Sequence, residues 1–243
     1  RYDPSMPPVS LVIFDCDGTL VDSEGPHERI CIQLLGSLGF DVEAAQHALD
    51  NCVGLTFAAQ MQILAETHGV TLPGDITERY VDMFCALPPE ESAEIPGAGE
   101  MIALALEKGL KIAVGSNGEP RNVETSLSHA GFSGFFDGLI FTAAMVPRGK
   151  PAPDLYLHAA EQLGVRPENC LVFEDSINGA RAGIAAGMTV IGIYGTAHDP
   201  AARRRDLLGA GIAGAFADFN EALGSADAEK DYVPANAPVC AAK

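Results

Sequence analysis

Residues 9–19 read VSLVIFDCDGT. An apolar run stops abruptly there at two aspartates, Asp15 and Asp17, which are separated by one residue. The run over residues 9–14 is almost continuously apolar, which is typical of a strand buried on both faces of a parallel sheet. Gly18 permits a tight turn through which Asp15 and Asp17 can converge. This stretch therefore predicts a central strand with a polar site at its carboxyl end.

Beyond residue 93, segments typical of strands and helices alternate. Strands are predicted at residues 110–115, 139–142, 170–173 and 189–194, and helices at about 99–108, after Pro120, after Pro153 and at about 177–186. Such alternation is typical of a parallel sheet covered by helices on both faces. The sequence therefore predicts a doubly wound, Rossmann-like α/β fold.

Between the first strand and this alternating part, apolar residues recur at spacings of three and four with no strand among them. This pattern predicts an inserted α-helical domain. We expect a core of residues 9–22 and 93–224, a helical cap domain of residues 23–92, and flexible tails at residues 1–8 and 225–243.

Charge and composition exclude several classes of partner. The 243 residues include 15 lysines and arginines against 33 aspartates and glutamates, a net charge of −18. Such a surface repels phosphate backbones, so we expect no nucleic-acid partner. No apolar run approaches the roughly 20 residues that span a bilayer, so we expect no membrane partner either.

Six dispersed cysteines without a Cys-x-x-Cys pair are typical of free thiols in a reducing compartment. The polar, proline-rich residues 1–8 show no signal peptide, and Met6 is a candidate natural start. We therefore expect a cytoplasmic protein, present as a monomer or weak homodimer.

Carboxylates follow two of the predicted strands: Asp15 with Asp17, and Glu174 with Asp175. Ligands of doubly wound sheets bind at the carboxyl ends of the strands, so we expect these groups to lie together. Clustered buried carboxylates need a cation, and a set of oxygen ligands favours Mg²⁺. The alternatives are solvation of each pair, or capping by Asp175 of the helix that begins near Ile177.

Two further strand ends carry groups suited to an anion. Ser116, Asn117 and Gly118 precede a helix, where a hydroxyl and free N–H groups can bind phosphate. Lys150, held between a glycine and a proline, supplies a compact positive charge. Ordinary helix capping and a solvated surface lysine are the alternatives. Combined with a nucleophilic aspartate and a second carboxylic acid, these groups can transfer a phosphoryl group.

Four motifs resemble those of the haloacid dehalogenase superfamily in its phosphatase form. They are residues 15–24 (DCDGTLVDSE), 114–117 (VGSN), 149–154 (GKPAPD) and 173–176 (FEDS) followed by small residues up to Met188. The helical insertion resembles the cap of the phosphoglycolate phosphatase and beta-phosphoglucomutase branch. The resemblance covers nearly the whole chain and implies hydrolysis of a small phosphorylated metabolite, most simply a sugar phosphate or phosphosugar acid.

The resemblance also implies a role for each motif residue. Asp15 is the nucleophile and Asp17 the general acid and base. Mg²⁺ is held by Asp15, by Asp175, by the Asp17 carbonyl oxygen, and by Glu174 either directly or through water. Ser116, Asn117, Gly118 and Lys150 hold the phosphoryl oxygens. Because Asp17 is a carboxylate, the resemblance disfavours carbon–halogen cleavage.

Within the insertion, Glu24, His27 and Thr56 are candidate specificity residues. His27 either contacts the substrate or Asp17, or lies on a helix surface. A phosphosugar mutase is an alternative function, but Phe57 stands where beta-phosphoglucomutase carries an arginine for a second phosphate. A non-catalytic binding protein is a further alternative, which the presence of all four motifs disfavours.

Overall fold

The computed structural model describes residues 8–41, 49 and 52–225. The predicted tails therefore lie outside the described residues, apart from Pro8 and Ser225. No helix in the described part of the chain combines the length and apolar character that a bilayer crossing requires.

The core is one six-stranded sheet in the order β5-β4-β1-β6-β7-β8. All of its strand pairs are parallel. The strands are β1 (Leu11–Phe14), β4 (Lys111–Ser116), β5 (Ile140–Thr142), β6 (Cys170–Glu174), β7 (Thr189–Ile193) and β8 (Gly214–Phe216). The strand that directly precedes Asp15 therefore lies inside the sheet, between β4 and β6, as the sequence predicts.

Helices cover both faces of this sheet. The helices of the core are α4 (Ala98–Glu107), α5 (Pro120–His129), α6 (Asp154–Gln162), α7 (Ile177–Ala185), α8 (Pro200–Gly209) and α9 (Phe219–Gly224). Val12 and Phe14 pack with α4, α5 and α9, whereas Leu11 and Ile13 pack with α6, α7 and α8. Because alternate residues of β1 enter two separate apolar layers, the strand is apolar throughout. The predicted doubly wound α/β fold is confirmed.

A helical insertion, which we define as the chain between β2 (Val21–Asp22) and β3 (Ala93–Glu94), lies against one edge of the sheet. Its helices are α1 (Glu24–Ser37), α2 (Phe57–His68) and α3 (Ile76–Cys85). They enclose an apolar cluster of their own, with Leu35, Met61, Leu64 and Phe84 among its buried members. β2 and β3 pair with each other in antiparallel register, so the chain leaves and re-enters the core at one place.

Several element boundaries differ from the prediction. β1 begins at Leu11, and Ser10 instead donates its N–H to the Asn169 carbonyl. β5 begins at Ile140, one residue later than predicted, and ends at Thr142 as predicted, where Ala143–Met145 turn into a short 3₁₀ helix. The β2–β3 pair, β8, α8 and α9 have no counterpart among the predicted elements.

Candidate active site

A tight turn after β1 brings Asp15 and Asp17 to the carboxyl edge of the sheet. The Cys16 carbonyl accepts hydrogen bonds from the N–H groups of Thr19, Leu20 and Val21. Gly18 has φ +78°, and a Cβ built there would lie 2.7 Å from Asp175 Oδ2. Only glycine therefore allows both the turn and the close approach of the fourth motif.

Lys150 lies at the centre of the site. Its Nζ donates to Asp15 Oδ1 and to Glu174 Oε1, at 2.5 Å each. The residue is 4% exposed, which excludes the alternative of a solvated surface lysine. The Tyr156 ring lies 4.8 Å from the ammonium and gives it a further favourable contact.

Glu174 is held by four donors. Its Oε1 accepts from Lys150 and from the Tyr156 hydroxyl at 2.8 Å, and its Oε2 accepts from the N–H and hydroxyl of Ser176 at 3.0 Å each. In this arrangement Glu174 fixes the position of the Lys150 ammonium. Whether it also binds a metal directly or through water stays a prediction.

The burial of these groups shifts their pKa values. Burial raises the pKa of Asp15 from 3.8 to about 8, with Lys150 opposing the shift and Glu174 and Asp17 adding to it. Burial alone would lower the pKa of Lys150, but Asp15 and Glu174 hold it above its ordinary value. The site therefore favours an extra positive charge beside Asp15.

Asp175 is paired with an arginine that the sequence analysis does not identify. Arg203, on α8, donates to the Asp175 carbonyl at 2.8 Å and to its Oδ2 at 3.2 Å. Burial raises the pKa of Asp175 well above its ordinary value, Glu24 and Glu174 add to this shift, and Arg203 opposes it. Ser176, not Asp175, caps α7 through its hydroxyl, so the capping alternative for Asp175 is wrong.

Three carboxylates converge closely enough to share one cation. One oxygen each of Asp15, Glu174 and Asp175 lie within 4.8 Å of one another, and all three residues are buried. Buried oxygen donors without a histidine or cysteine suit a hard divalent ion. The residues present therefore fit a hard divalent cation such as Mg²⁺.

The Asp17 carboxylate is not part of this group. Its Oδ1 accepts a hydrogen bond from the Ser23 hydroxyl at 2.6 Å. Ser23 precedes α1 without capping it through its side chain, because the hydroxyl is directed at Asp17. The side chain of Asp17 is therefore held in the pocket by the first residue of the helical insertion.

The second motif links three parts of the site. The Asn117 amide donates to the carbonyls of Lys150 and Gly54 at 3.0 and 2.9 Å, and its Oδ1 accepts from the Lys150 N–H at 2.9 Å. Ser116 Oγ accepts from the Gly118 N–H at 2.9 Å. Neither side chain caps α5, whose N-cap residue is Glu119.

The loop before α2 touches the core directly. Gly54 has φ +79°, and a Cβ there would overlap the Ser176 side chain. Asn178 donates to the Val53 carbonyl at 2.8 Å, beside the contact between Asn117 and Gly54. Thr56 caps α2, because its hydroxyl oxygen accepts a hydrogen bond from the Ala59 N–H at 3.2 Å.

His27 belongs to a network inside the pocket. Its Nδ1 lies 2.6 Å from the Tyr80 hydroxyl and its Nε2 lies 3.1 Å from Gln60 Oε1. Gln60 Nε2 donates to the Leu55 carbonyl, which directs its oxygen at His27. These partners suit a neutral imidazole that accepts from Tyr80 and donates to Gln60, and burial lowers the pKa of His27.

One pocket between the helical insertion and the carboxyl ends of the sheet strands brings these groups together. Of the predicted site residues, all but Thr56 line it: Asp15, Asp17, Glu24, His27, Ser116, Asn117, Gly118, Lys150, Glu174 and Asp175. Sequence reasoning missed Ser23, Gln60, Tyr80, Tyr156 and Arg203, which enter the site through tertiary contacts. A tyrosine between Leu155 and Leu157 was the available signal for Tyr156, because a buried hydroxyl needs a partner.

Comparison with known proteins decides the family. The family model described as "Hydrolase: haloacid dehalogenase-like hydrolase" matches residues 9–187. The chain is a haloacid dehalogenase-like hydrolase. This agrees with the resemblance of the four motifs.

Relatives of this hydrolase include two phosphatases of Escherichia coli K12. The chain is 32% identical to 6-phosphogluconate phosphatase over 183 residues, covering 75% of this chain and 81% of that protein. It is 33% identical to Hexitol phosphatase B over 185 residues, covering 75% and 82%. Its match to the Arabidopsis thaliana protein SUPPRESSOR OF QUENCHING 1, chloroplastic, is 32% identical over 77% of this chain, but spans only 18% of that protein.

Among solved structures, the hydrolase resembles CbbY from Rhodobacter sphaeroides in complex with phosphate. The TM-score is 0.71 at 27% identity, and the match covers 89% of this chain and 96% of that one. The similarity therefore includes the helical insertion as well as the sheet.

Proposed function

We propose that this chain is a Mg²⁺-dependent phosphomonoester hydrolase that acts on a small phosphorylated metabolite through an aspartyl-phosphate intermediate. A sugar phosphate or phosphosugar acid is the expected substrate, in keeping with the names of the two E. coli relatives. The observation that carries the proposal is the buried Lys150 ammonium between Asp15 and Glu174, in one pocket with Asp17. This arrangement places a nucleophile, a positive charge and a separate carboxyl group around one phosphoryl group.

In the first step, an Asp15 oxygen attacks phosphorus and the bond from phosphorus to the ester oxygen breaks. Asp17 gives its proton to the departing alkoxide. In the second step, Asp17 takes a proton from water, whose oxygen attacks phosphorus and releases Asp15 and inorganic phosphate. The hydrogen bond from Ser23 to Asp17 orients the carboxyl group for both transfers.

Lys150 binds phosphoryl oxygens, helped by Ser116 and by the N–H groups that follow it. Asn117 serves this site by fixing the Lys150 backbone through two hydrogen bonds. Phosphoryl transfer depends mainly on such positioning and on charge neutralisation.

Asp15 and Asp175 would hold Mg²⁺, together with the Asp17 carbonyl oxygen and with Glu174 directly or through water. When bound, the ion supplies positive charge that neutralises the carboxylates and the phosphoryl oxygens. The ion would stabilise the ionised form of Asp15 in particular, because burial raises the pKa of this carboxyl group and nearby positive charge lowers it.

We further propose that the helical insertion, residues 23–92, acts as a cap on a core of residues 9–22 and 93–224. Its contacts with the core include hydrogen bonds of Asp17 with Ser23, of Asn117 with Gly54 and of Asn178 with Val53, the ion pairs of Arg121 with Asp82 and of His198 with Glu28, and contacts of the Cys85 thiol with α5. Contacts of this kind are compatible with opening for substrate entry and closing to exclude water.

The mutase alternative has less support. Phe57 lines the pocket and stacks on Tyr80 with ring centroids 4.0 Å apart, in the place of the arginine that a second phosphate would need. Arg29 and Arg79 are engaged elsewhere, in ion pairs with Glu91 and Asp75. A binding protein without activity is disfavoured because every proposed reacting group is present.

A phosphoester panel with Mg²⁺, read by released phosphate, tests the proposal. Asp15→Asn should abolish turnover and the acid-stable phosphoenzyme, because an amide cannot form the acyl phosphate. Asp137→Asn, at an exposed position, is the control for loss of one charge. Turnover by Asp15→Asn within about tenfold of the parent would refute the nucleophile assignment.

We also propose a cytoplasmic location and a monomer or weak homodimer. The location rests on the dispersed cysteines, of which Cys16, Cys31, Cys52, Cys85 and Cys170 are free thiols. Size-exclusion chromatography with light scattering tests the oligomeric state.

A further inference from the structure

The pocket is rich in acidic side chains. Seven carboxylates line it: Asp15, Asp17, Glu24, Glu28, Glu119, Glu174 and Asp175. Among the described residues, Lys150 is the only lysine or arginine that does so, and it is already paired with Asp15 and Glu174. The positive charge of Lys150 and of one bound Mg²⁺ would be used by one phosphoryl group and by the carboxylates around the ion.

Glu119 adds a negative charge without a compensating partner. It is the half-buried N-cap residue of α5, and its carboxylate makes no hydrogen bond or ion pair with any other residue that the structure describes. Burial raises the pKa of Tyr80 well above its ordinary value, and Glu119 is close enough to contribute to that shift. Glu119 therefore acts on the part of the pocket that His27 and Tyr80 form.

The remaining polar groups in that part are neutral. His27, Tyr80 and Gln60 form a chain of hydrogen bonds that suits an uncharged imidazole. Asn122, 4% exposed, also lines the pocket, and its Nδ2 is buried with no hydrogen-bond partner among the described residues. Such groups can bind hydroxyls, but they offer no charge to balance a second acid.

We propose that this pocket selects phosphomonoesters whose leaving group carries no second acidic group, and that Glu119 is a specificity-determining residue for this choice. The inference rests on the proposed phosphatase function and narrows its substrate class. A carboxylate or second phosphate on the leaving group would meet Glu119 in a partly desolvated space, where like charges repel strongly. Glu28, whose Oε2 lies 3.2 Å from His198 Nε2, adds a further carboxylate from the helical insertion.

A matched pair of substrates tests the selectivity. Glucitol 6-phosphate and 6-phosphogluconate differ only at carbon 1, which is a hydroxymethyl group in one and a carboxylate in the other. We expect kcat/KM with Mg²⁺ to be about tenfold or more higher for glucitol 6-phosphate, and added salt to reduce the ratio. Equal or faster turnover of 6-phosphogluconate would overturn the proposal.

Charge-neutral variants assign the effect to residues. Glu119→Gln should lower the preference about three- to tenfold by improving 6-phosphogluconate turnover, chiefly through KM. Glu28→Gln tests whether a carboxylate on the helical insertion contributes to the same repulsion of an acidic leaving group. Glu124→Gln, exposed on the same helix as Asn122 and outside the pocket, is the control that should leave the ratio unchanged.

The outcomes separate this inference from the proposed function. If both substrates release phosphate but neither pocket variant alters their ratio, Glu119 and Glu28 do not determine specificity and the inference fails. If no phosphomonoester releases phosphate under any metal condition, the phosphatase function itself fails. Circular dichroism and the thermal midpoint of each variant show whether it is folded.

Discussion

At the scale of single residues, substitution of Asp17 distinguishes a role in proton transfer from a role in metal binding. Its carboxylate accepts from Ser23 and lies outside the group formed by Asp15, Glu174 and Asp175. We expect Asp17→Asn to keep Mg²⁺ affinity nearly unchanged, because its backbone carbonyl is the proposed ligand. Turnover should fall by roughly 10²–10⁴-fold, the usual contribution of a positioned acid and base.

Titration calorimetry and single-turnover kinetics with acid quench check this prediction. An activated aryl phosphate needs no proton on its leaving group, so its first step should be nearly unaffected and phosphoenzyme should accumulate. Loss of Mg²⁺ binding, or equal slowing of the first step for aryl and sugar phosphates, would assign Asp17 to metal binding alone.

His27 predicts a pH dependence of stability. Because burial lowers its pKa below the ordinary 6.5, the unfolded chain takes up a proton at this residue more readily than the folded protein. The stability from neutral His27 is therefore present above about pH 6.5 and is lost as the pH falls toward the folded pKa. His27→Gln lacks this contribution.

Thermal midpoints from pH 7.5 to 5.5 measure the effect. The midpoint of the parent should fall more steeply with acidification than that of His27→Gln, so the two should converge. Parallel curves for His27→Gln and the parent would contradict a neutral buried imidazole.

At the scale of elements, α8 shows why part of the site could not be predicted from the sequence. Its ten residues bury only Leu207, so no apolar periodicity marks a helix there. Yet α8 carries Arg203, whose side chain is 17% exposed and pairs with Asp175. Its neighbours Arg204 and Arg205 are exposed, so nothing in the run of three arginines singles out the one that enters the site.

The main strands and helices were predictable because their patterns are local. β1, β6 and, after Lys111, β4 are mainly apolar runs that lead directly to the motif residues. β2 and β3 have two residues each, and β8 has three half-buried ones, which are too short to show a period. The contact of Ser23 with Asp17 and that of Tyr156 with Glu174 depend on tertiary packing, which spacing does not reveal.

Arg203→Gln tests the role of α8. Losing a charged partner of a buried carboxylate should destabilise the metal-free protein by about 1–3 kcal/mol, or about 2–10 °C in thermal midpoint. Mg²⁺ should recover part of this loss, since the ion supplies charge beside Asp175. Arg204→Gln is the matched control, and equal losses in both variants, or no recovery by Mg²⁺, would rule out this role.

At the scale of the whole molecule, a net charge of −18 and a buried carboxylate cluster predict dependence on a divalent ion. Mg²⁺ should raise the thermal midpoint and be required for activity. Ca²⁺ should also raise the midpoint but inhibit, because its larger size and looser geometry of about 6–8 ligands can engage both Asp15 oxygens.

Differential scanning fluorimetry and phosphate release, each after exhaustive chelation and re-addition of one ion, separate the two effects. Asp15→Asn should bind either ion more weakly, whereas Asp137→Asn should behave as the parent. Activity that survives chelation would disprove the metal requirement.

The paired strands β2 and β3 have a consequence for how such a protein can evolve. Asp22 and Ala93 lie side by side, so the core itself holds both ends of the helical insertion together. Lengthening a chain segment whose ends are fixed costs little, about 0.6 kcal/mol for each doubling. An exchanged or resized insertion therefore leaves the aspartates and Lys150 in place. A lineage can then acquire new substrates while the residues that carry out the reaction stay the same.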